Sequence, residues 1–211
     1  MRKGSRLWSG RGARSINGSR MFRREVIAVF AAILWAAPTA RTFAGGGGDQ
    51  APGEYQVKAA FLFNFARFVE WPPRGAEGAG APIEMCVLGD DPFGEALDRA
   101  VAGKTLNDRS MEVRRGRKVQ ELNGCEVLFI STSEKSRLPE ILGSLRTVHV
   151  LTVGESDDFA AQGGEVQFTL EDNHVRFIIN VDATDRAGLK VSSKLLGLAH
   201  VVHGDPLRKK N

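Results

Sequence analysis

Two short polar segments stand where an α/β protein most often binds a ligand. Each follows a buried, strand-like run of apolar residues, one over residues 83–88 and the other over residues 125–130. Parallel strands end at one edge of a sheet, so the two segments should line a common crevice with backbone amides available to an anion. The alternative, and the more common role for such residues, is to cap the following helices. The predicted crevice residues are Gly89, Asp90, Asp91, Ser131, Thr132 and Ser133.

Cys86 and Cys125 are the only two cysteines of the chain. In an oxidising compartment they can form one disulfide, which would contribute roughly 3 to 4 kcal/mol of stability. The alternative is that both are small buried hydrophobic residues on neighbouring strands. Neither cysteine lies in a Cys-x-x-Cys spacing or near a histidine, so the sequence does not favour a catalytic thiol or a metal pair.

Other residues that support catalysis or metal binding are sparse. The sequence contains no phosphate-binding loop, no Gly-x-Ser-x-Gly and no His-Glu-x-x-His. His200 and His203 lie three residues apart beside Asp205, but zinc needs further ligands and a helix end is the more common place for such histidines. The basic cluster over residues 114–118 has no interleaved aromatic residues and indicates a solvated strand end rather than a phosphate clamp. We therefore predict no catalytic residues, no metal and no cofactor.

The basic character of the chain is confined to its beginning. The chain has 29 Lys or Arg and 25 Asp or Glu residues, and residues 1–44 hold nine of the former and one of the latter. The remaining chain therefore carries a net charge of −4. A net acidic body gives no reason to expect a nucleic acid partner.

Residues 1–44 have the pattern of a signal peptide. Two arginines precede an apolar run over residues 26–37, and small residues lead up to Ala44, where we expect cleavage. The apolar run is too short to cross a bilayer, which takes about 20 residues; retention as an inner-membrane anchor is the alternative. Met21 is a possible true start. We expect the mature chain to be exported to the periplasm of a Gram-negative cell, without inserting into the membrane.

The pattern after the leader predicts one compact α/β domain over residues 54–205. It is preceded by a flexible Gly-rich and Pro-rich linker over residues 45–53 and followed by a basic tail over residues 206–211. Strand-like runs alternate with helical ones, which indicates a mainly parallel sheet with helices on both faces.

The end of this domain has a different pattern. Two alternating runs, over residues 166–170 and 175–179, flank a polar turn and predict a β-hairpin. Apolar residues at helical spacing then predict a last helix from about Thr184 to Val202.

The first helix is predicted over residues 54–69, before Trp71-Pro72-Pro73. Its apolar residues spread over about half the circumference, wider than the stripe of an ordinary surface helix. Phe63 falls on the opposite, polar face. The helix is either deeply packed or also meets another chain, and we expect Phe63 and Trp71 to contribute to a partner or dimer surface.

Five segments, in this order, match the pattern of a known family. They are YQVKAAFLFNFARFVEWP (55–72), IEMCVLGDDPFGEAL (83–97), NGCEVLFIS (123–131), VLTVGESDDFAAQGGEVQF (150–168) and VRFIINVDATDRAGLKVSSKLLGLAHVV (175–202). On these segments, which cover nearly the whole mature chain, the sequence resembles the YfiR family of periplasmic regulatory proteins. The Glu-Trp-Pro that ends the first helix and the Ser-Ser-Lys-Leu-Leu near the end are specific motifs.

The resemblance implies a regulator that binds the periplasmic sensory domain of an inner-membrane diguanylate cyclase and holds it inactive. Such a protein controls cyclic di-GMP signalling and biofilm formation. The resemblance also implies a compact α/β fold, often dimeric, and a disulfide between Cys86 and Cys125, since family members carry cysteines at matching positions. A second cysteine pair of some members is absent from this sequence. The alternative function is a periplasmic small-molecule-binding module that uses the predicted crevice.

Overall fold

The computed structural model describes residues 53–73 and 80–204 of the chain. The predicted signal peptide, all but the last residue of the linker, and the basic tail over residues 206–211 lie outside the described residues. Within the described ranges, no helix combines the length and apolar character needed to cross a membrane.

The first helix, α1, spans Glu54–Phe68 and is close to the predicted range. It ends where the backbone becomes extended at Val69, ahead of two prolines that cannot continue a helix. Ala59, Leu62 and Phe65 are almost fully buried, and other aromatic residues of the helix are half-buried against the same core. The wide apolar face is therefore largely used in packing within this chain.

An eight-stranded, mainly parallel sheet forms the centre of the described structure. Its strands are β2 Ile83–Leu88, β3 Thr105–Leu106, β4 Arg109–Gly116, β5 Val127–Ile130, β6 Leu151–Gly154, β7 Val166–Glu171, β8 His174–Asn180 and β10 His200–Val202. Their order across the sheet is β10-β8-β7-β6-β5-β2-β4-β3, and only the β7–β8 and β3–β4 pairs are antiparallel. A separate two-stranded sheet pairs β1 Val69–Glu70 with β9 Lys190–Val191.

The sheet and the helices that pack on it confirm the predicted α/β class. The antiparallel pair β7–β8 is the predicted hairpin. The remaining segments are α2 Glu95–Val101, two 3₁₀ helices at Val119–Leu122 and Thr132–Arg137, α3 Leu138–Leu145, α4 Val181–Arg186 and α5 Ser193–Leu196. Buried residues form two cores, which follow from strand alternation: Met85 and Val87 belong to one core, and Cys86 and Leu88 to the other.

We call these cores the aromatic face and the disulfide face. The aromatic face includes residues of α1 and α2, and it contains Phe65, Phe93, Phe129, Phe168 and Phe177. The disulfide face includes residues of α3 and the 3₁₀ helix Val119–Leu122 together with both cysteines. Each face of the sheet therefore has its own apolar packing.

The predicted last helix from Thr184 to Val202 is wrong. The chain instead forms α4, β9, α5 and β10 in succession. Gly188 interrupts the helical path with a φ of +72°, and a side chain there would also crowd His149. The side chains of Asn180 and Ser192 cap α4 and α5 as separate helices. Leu189 reaches the aromatic face from the loop between α4 and β9, and Leu195 reaches it from α5.

Candidate functional site

The residues of the predicted crevice do lie together, at the carboxyl ends of β2, β5 and β6. They border a shallow concavity of about 390 Å³ whose lining residues are Tyr55, Asp90, Asp91, Pro92, Ser131, Thr132, Ser133 and Glu155. Gly89 is required beside it, because its φ is +93° and a Cβ at this position would overlap the side chains of Ser133 and Glu134. Five of the six predicted residues therefore border one concavity.

The aspartates of this crevice are already partnered within the chain. Asp91 accepts a hydrogen bond from the backbone N–H of Phe93 at 2.8 Å and pairs through its other oxygen with Arg115 Nε at 2.6 Å. Asp90 pairs with Arg117, and its backbone N–H donates to Ser133 Oγ at 3.0 Å. These contacts stabilise the loop before α2, but the predicted cap by Asp91 is wrong, because α2 begins at Glu95 with Gly94 as its N-cap. Ser131 does cap the following 3₁₀ helix, since its side chain accepts a hydrogen bond from the Ser133 N–H.

A buried charged cluster next to the crevice is not identified by the sequence. Lys58 of α1 is only 4% exposed and forms ion pairs with Glu54 and, at 2.5 Å, with Glu155. Tyr55 donates its hydroxyl hydrogen to Glu155 at 3.1 Å. Burial raises the pKa of the Tyr55 hydroxyl. Burial alone would lower the pKa of Lys58, but its hydrogen bonds to Glu155 and Glu54 have the larger combined effect and raise that pKa.

The position of Glu155 offered one usable signal. It directly follows β6, just as Gly89 follows β2 and Ser131 follows β5. Extending the strand-end rule to the third parallel strand would have placed Glu155 in the crevice. Lys58 offered no comparable signal, because a lysine within an amphipathic helix is usually solvated.

The arginines of β4 are paired with acidic groups of this chain. Arg114 binds Glu84 at 2.6 Å and the carbonyl of Glu121 at 2.5 Å. Arg115 binds Asp98 at 2.6 Å in addition to Asp91, and its hydrogen bond lowers the pKa of the Asp98 carboxyl. These contacts favour the predicted strand-end role over a phosphate clamp.

Cys86 and Cys125 form a disulfide, as the family resemblance implies, with their Cα atoms 6.0 Å apart. Both residues are almost fully buried, at 2% and 4% exposure. Cys86 lies within β2, and Cys125 lies two residues before β5. The disulfide therefore links the interior strand β2 to the segment that enters its neighbour β5.

Phe63 and Trp71 are half-buried and lie in different surroundings. The ammonium of Lys104 lies 4.2 Å from the centre of the Phe63 ring, and the guanidinium of Arg67 lies 5.7 Å away. Trp71 donates its indole N–H to the carbonyl of Glu126 at 3.2 Å and lines a cavity of about 620 Å³ that Phe63 does not line. The structure therefore does not bring the two aromatic residues into one pocket.

Residues 55–200 match the model of the YfiR/HmsC-like family. The chain belongs to this family. Its members are periplasmic regulators of cyclic di-GMP signalling rather than catalysts, so membership supports a regulatory role of this general kind. The matched range extends from the second residue of α1 to the first residue of β10 and thus includes the other seven strands of the main sheet in full.

Comparison with solved structures finds partial matches at low sequence identity. A conserved domain protein from Vibrio cholerae O1 biovar El Tor is 9% identical, with a TM-score of 0.48 over 72% of this chain and 60% of that one. The ABC domain from Streptococcus pneumoniae, solved in complex with L-Trp, is 10% identical, with a TM-score of 0.42 over 57% of this chain and 56% of that one. No curated protein sequence matches the chain significantly.

Proposed function

We propose that this protein binds the periplasmic sensory domain of an inner-membrane diguanylate cyclase and holds the enzyme inactive. The family match over residues 55–200 carries the proposal. The signal-peptide pattern over residues 1–44 adds support, because export would place the mature chain on the side of the membrane where such a domain lies. Loss of the protein would then raise cyclic di-GMP and favour biofilm formation.

The surface around Phe63 is our proposed contact for the cyclase. Here a half-buried aromatic ring lies under Lys104 and near Arg67, and both cationic side chains are exposed. Aromatic residues and arginine are enriched in protein interfaces, and cations at the rim steer an acidic partner into place. We propose that Trp71, eight residues further along the chain, extends this contact.

A complementation experiment in the native host tests both proposals. Deletion of the gene should raise cyclic di-GMP, and the wild-type gene should restore the basal level. Arg67→Glu should fail to restore it, because it reverses the charge beside Phe63. Lys135→Glu is the matched control, since Lys135 is exposed and makes only a long 3.5 Å ion pair with an exposed aspartate. Unchanged cyclic di-GMP on deletion would contradict cyclase repression, whereas full restoration by Arg67→Glu would contradict only the contact surface.

The same surface is our proposal for a homodimer contact. Light scattering on purified residues 45–211 should give twice the mass of one chain for the wild type and a lower mass for Arg67→Glu. Thermal melts of both proteins check that the substitution leaves the fold intact. A wild-type mass equal to one chain at micromolar concentration would contradict the dimer.

The crevice supports a second candidate function, binding of a small molecule. The observation that favours it is the concavity of about 390 Å³ beside the Lys58, Glu155 and Tyr55 cluster. Native mass spectrometry of the protein isolated from periplasm should then show an added mass that the double variant Asp90→Ala, Asp91→Ala lacks. Identical spectra for the two proteins would leave these aspartates with a purely structural role.

A further inference from the structure

Three groups that can bind a metal meet at the edge of the disulfide face. Glu84 and Cys86 occupy alternate positions of β2, so their side chains point to the same side of the strand. Cys125 reaches this side just before β5. One carboxylate oxygen of Glu84 and the two sulfur atoms all lie within 4.8 Å of one another. In the disulfide form, however, the sulfurs are bonded to each other and offer no thiolate.

We propose that reduction of this disulfide creates a binding site for a thiophilic divalent cation, represented by zinc or cadmium. The ligands would be the thiolates of Cys86 and Cys125 and the carboxylate of Glu84, with water in the fourth position. A dithiol reductant delivers two electrons and two protons to the disulfide, which gives two thiols and the oxidised reductant. The cation then displaces one proton from each thiol to water.

The required movement of these groups is small. In a tetrahedral zinc site with bonds of about 2.3 Å to sulfur and about 2.1 Å to oxygen, ligand atoms lie about 3.7 Å apart. The carboxylate therefore approaches the sulfurs by on the order of 1 Å, while the freed sulfurs move apart around the metal. Neighbouring β2 and β5 are hydrogen-bonded in parallel, which keeps the three residues together in the reduced state.

The charge of the site is already compensated. Two thiolates, one carboxylate and a divalent cation sum to one negative charge. The guanidinium of Arg114 supplies the matching positive charge and is held near the site by the carbonyls of Asn123 and Glu121 as well as by Glu84. Arg114 can therefore release one carboxylate oxygen to the metal while it stays within reach of the site.

A path for the reductant and the cation exists on this side of the sheet. Cys125 and Gly124 line a concavity of about 220 Å³, and the Glu84 side chain is 23% exposed. The ligand set also predicts selectivity, because thiolates bind zinc and cadmium far better than magnesium or calcium. Binding of a soft metal at this site would thus depend on whether Cys86 and Cys125 are reduced.

Metal titration of residues 45–211 tests the inference, with cadmium absorbance and competition against a chromophoric zinc chelator as readouts. The reduced wild type should bind one zinc or cadmium ion, with ultraviolet thiolate-to-cadmium charge transfer, and the oxidised protein none. Glu84→Gln should weaken zinc binding at least about tenfold, whereas Glu140→Gln, an exposed carboxylate on α3, should leave it unchanged. Equal affinity of wild type and Glu84→Gln, or binding by the double variant Cys86→Ala, Cys125→Ala, would overturn the site.

A second measurement keeps the test valid if reduction weakens the fold. Zinc should raise the thermal midpoint of the reduced wild type, or refold it, because metal that binds only the folded state stabilises it. The oxidised protein should show no such shift, and magnesium should have no effect on either form. A reduced protein whose circular dichroism and midpoint do not change with zinc would contradict the proposal.

Discussion

The two faces of the sheet are built differently. Within the described residues, the core of the aromatic face contains 23 buried residues, and that of the disulfide face contains 11. The larger core holds five of the buried phenylalanines, in edge and stacked contacts such as Phe65 with Phe177 at 5.2 Å. The smaller core is mostly Leu and Ile, with Phe159 as its buried aromatic residue and one disulfide.

The difference indicates how each face stays folded. Burial of apolar area stabilises roughly in proportion to that area, so the larger core can rely on packing alone. The smaller core has less area to bury, and the disulfide adds stability by restricting the unfolded chain. We therefore expect the free energy of unfolding to respond most to packing substitutions on the aromatic face and to reduction of the disulfide on the disulfide face.

Phe65→Ala should have the largest effect. Phe65 is fully buried on the aromatic face and contacts the rings of Phe61, Phe168 and Phe177. Its loss should lower the free energy of unfolding by about 3 to 5 kcal/mol, measured by urea denaturation. The half-buried Phe63→Ala is the matched control and should cost clearly less. Equal losses for the two variants would show that the aromatic core does not dominate this face.

Removal of the disulfide should have the next largest effect. The double variant Cys86→Ala, Cys125→Ala should unfold with about 3 to 4 kcal/mol less free energy than the oxidised wild type. Because the cysteines and Phe65 lie on opposite faces, the losses from Phe65→Ala and from the double variant should add within about 0.5 kcal/mol. A larger coupling energy would mean that the packing around Phe65 depends on the disulfide across the sheet.

The buried Glu165 should make stability depend on pH. Its carboxylate accepts a hydrogen bond from the backbone N–H of Thr152 at 2.9 Å, and burial raises its pKa to about 7. Because the raised pKa makes ionisation less favourable in the folded than in the unfolded protein, ionised Glu165 destabilises the fold. This destabilisation is absent below about pH 4.5 and fully present above about pH 7. This group alone should lower the free energy of unfolding by about 3 kcal/mol across that window.

Glu165→Gln should remove this contribution. Between pH 4.5 and 8 the free energy of unfolding, measured by denaturation, should fall less for the variant than for the wild type, because the variant has no carboxyl to ionise at this position. Glu140→Gln, on the surface of α3, serves as the control and should follow the wild type. Parallel pH profiles for wild type and Glu165→Gln would contradict the raised pKa.

Local patterns were sufficient for much of the fold. Continuous apolar runs correctly predicted β2 and β5, because strands buried on both faces require them. The helix predicted from the spacing of Leu189 and Leu195 is wrong, because a loop residue and a residue of a separate short helix can pack on one core at the same spacing. Gly188 was the sequence feature that argued against a continuous helix, because glycine lowers helix stability.

In the candidate site, too, the sequence predicts the local features but not those that depend on contacts between distant segments. The crevice residues follow from strand ends, which are local features. The ion-pair partners of Arg114, Arg115 and Arg117 do not, because they lie on β2, in the loop after it or on α2 and depend on the register of β4 beside β2. The burial of Lys58 likewise depends on where the loop after β6 brings Glu155.

Asp91→Ala should have the smallest effect and separates the two roles of the crevice. Asp91 holds the Phe93 N–H and Arg115, and Phe93 belongs to the aromatic face. If its role is to stabilise the loop before α2, the variant should lose about 1 kcal/mol of unfolding free energy, and cyclic di-GMP control should be unchanged. Asp157→Ala, whose carboxylate is exposed, is the control for stability. Loss of cyclic di-GMP control by Asp91→Ala in a stably folded protein would instead make the crevice part of the regulatory surface.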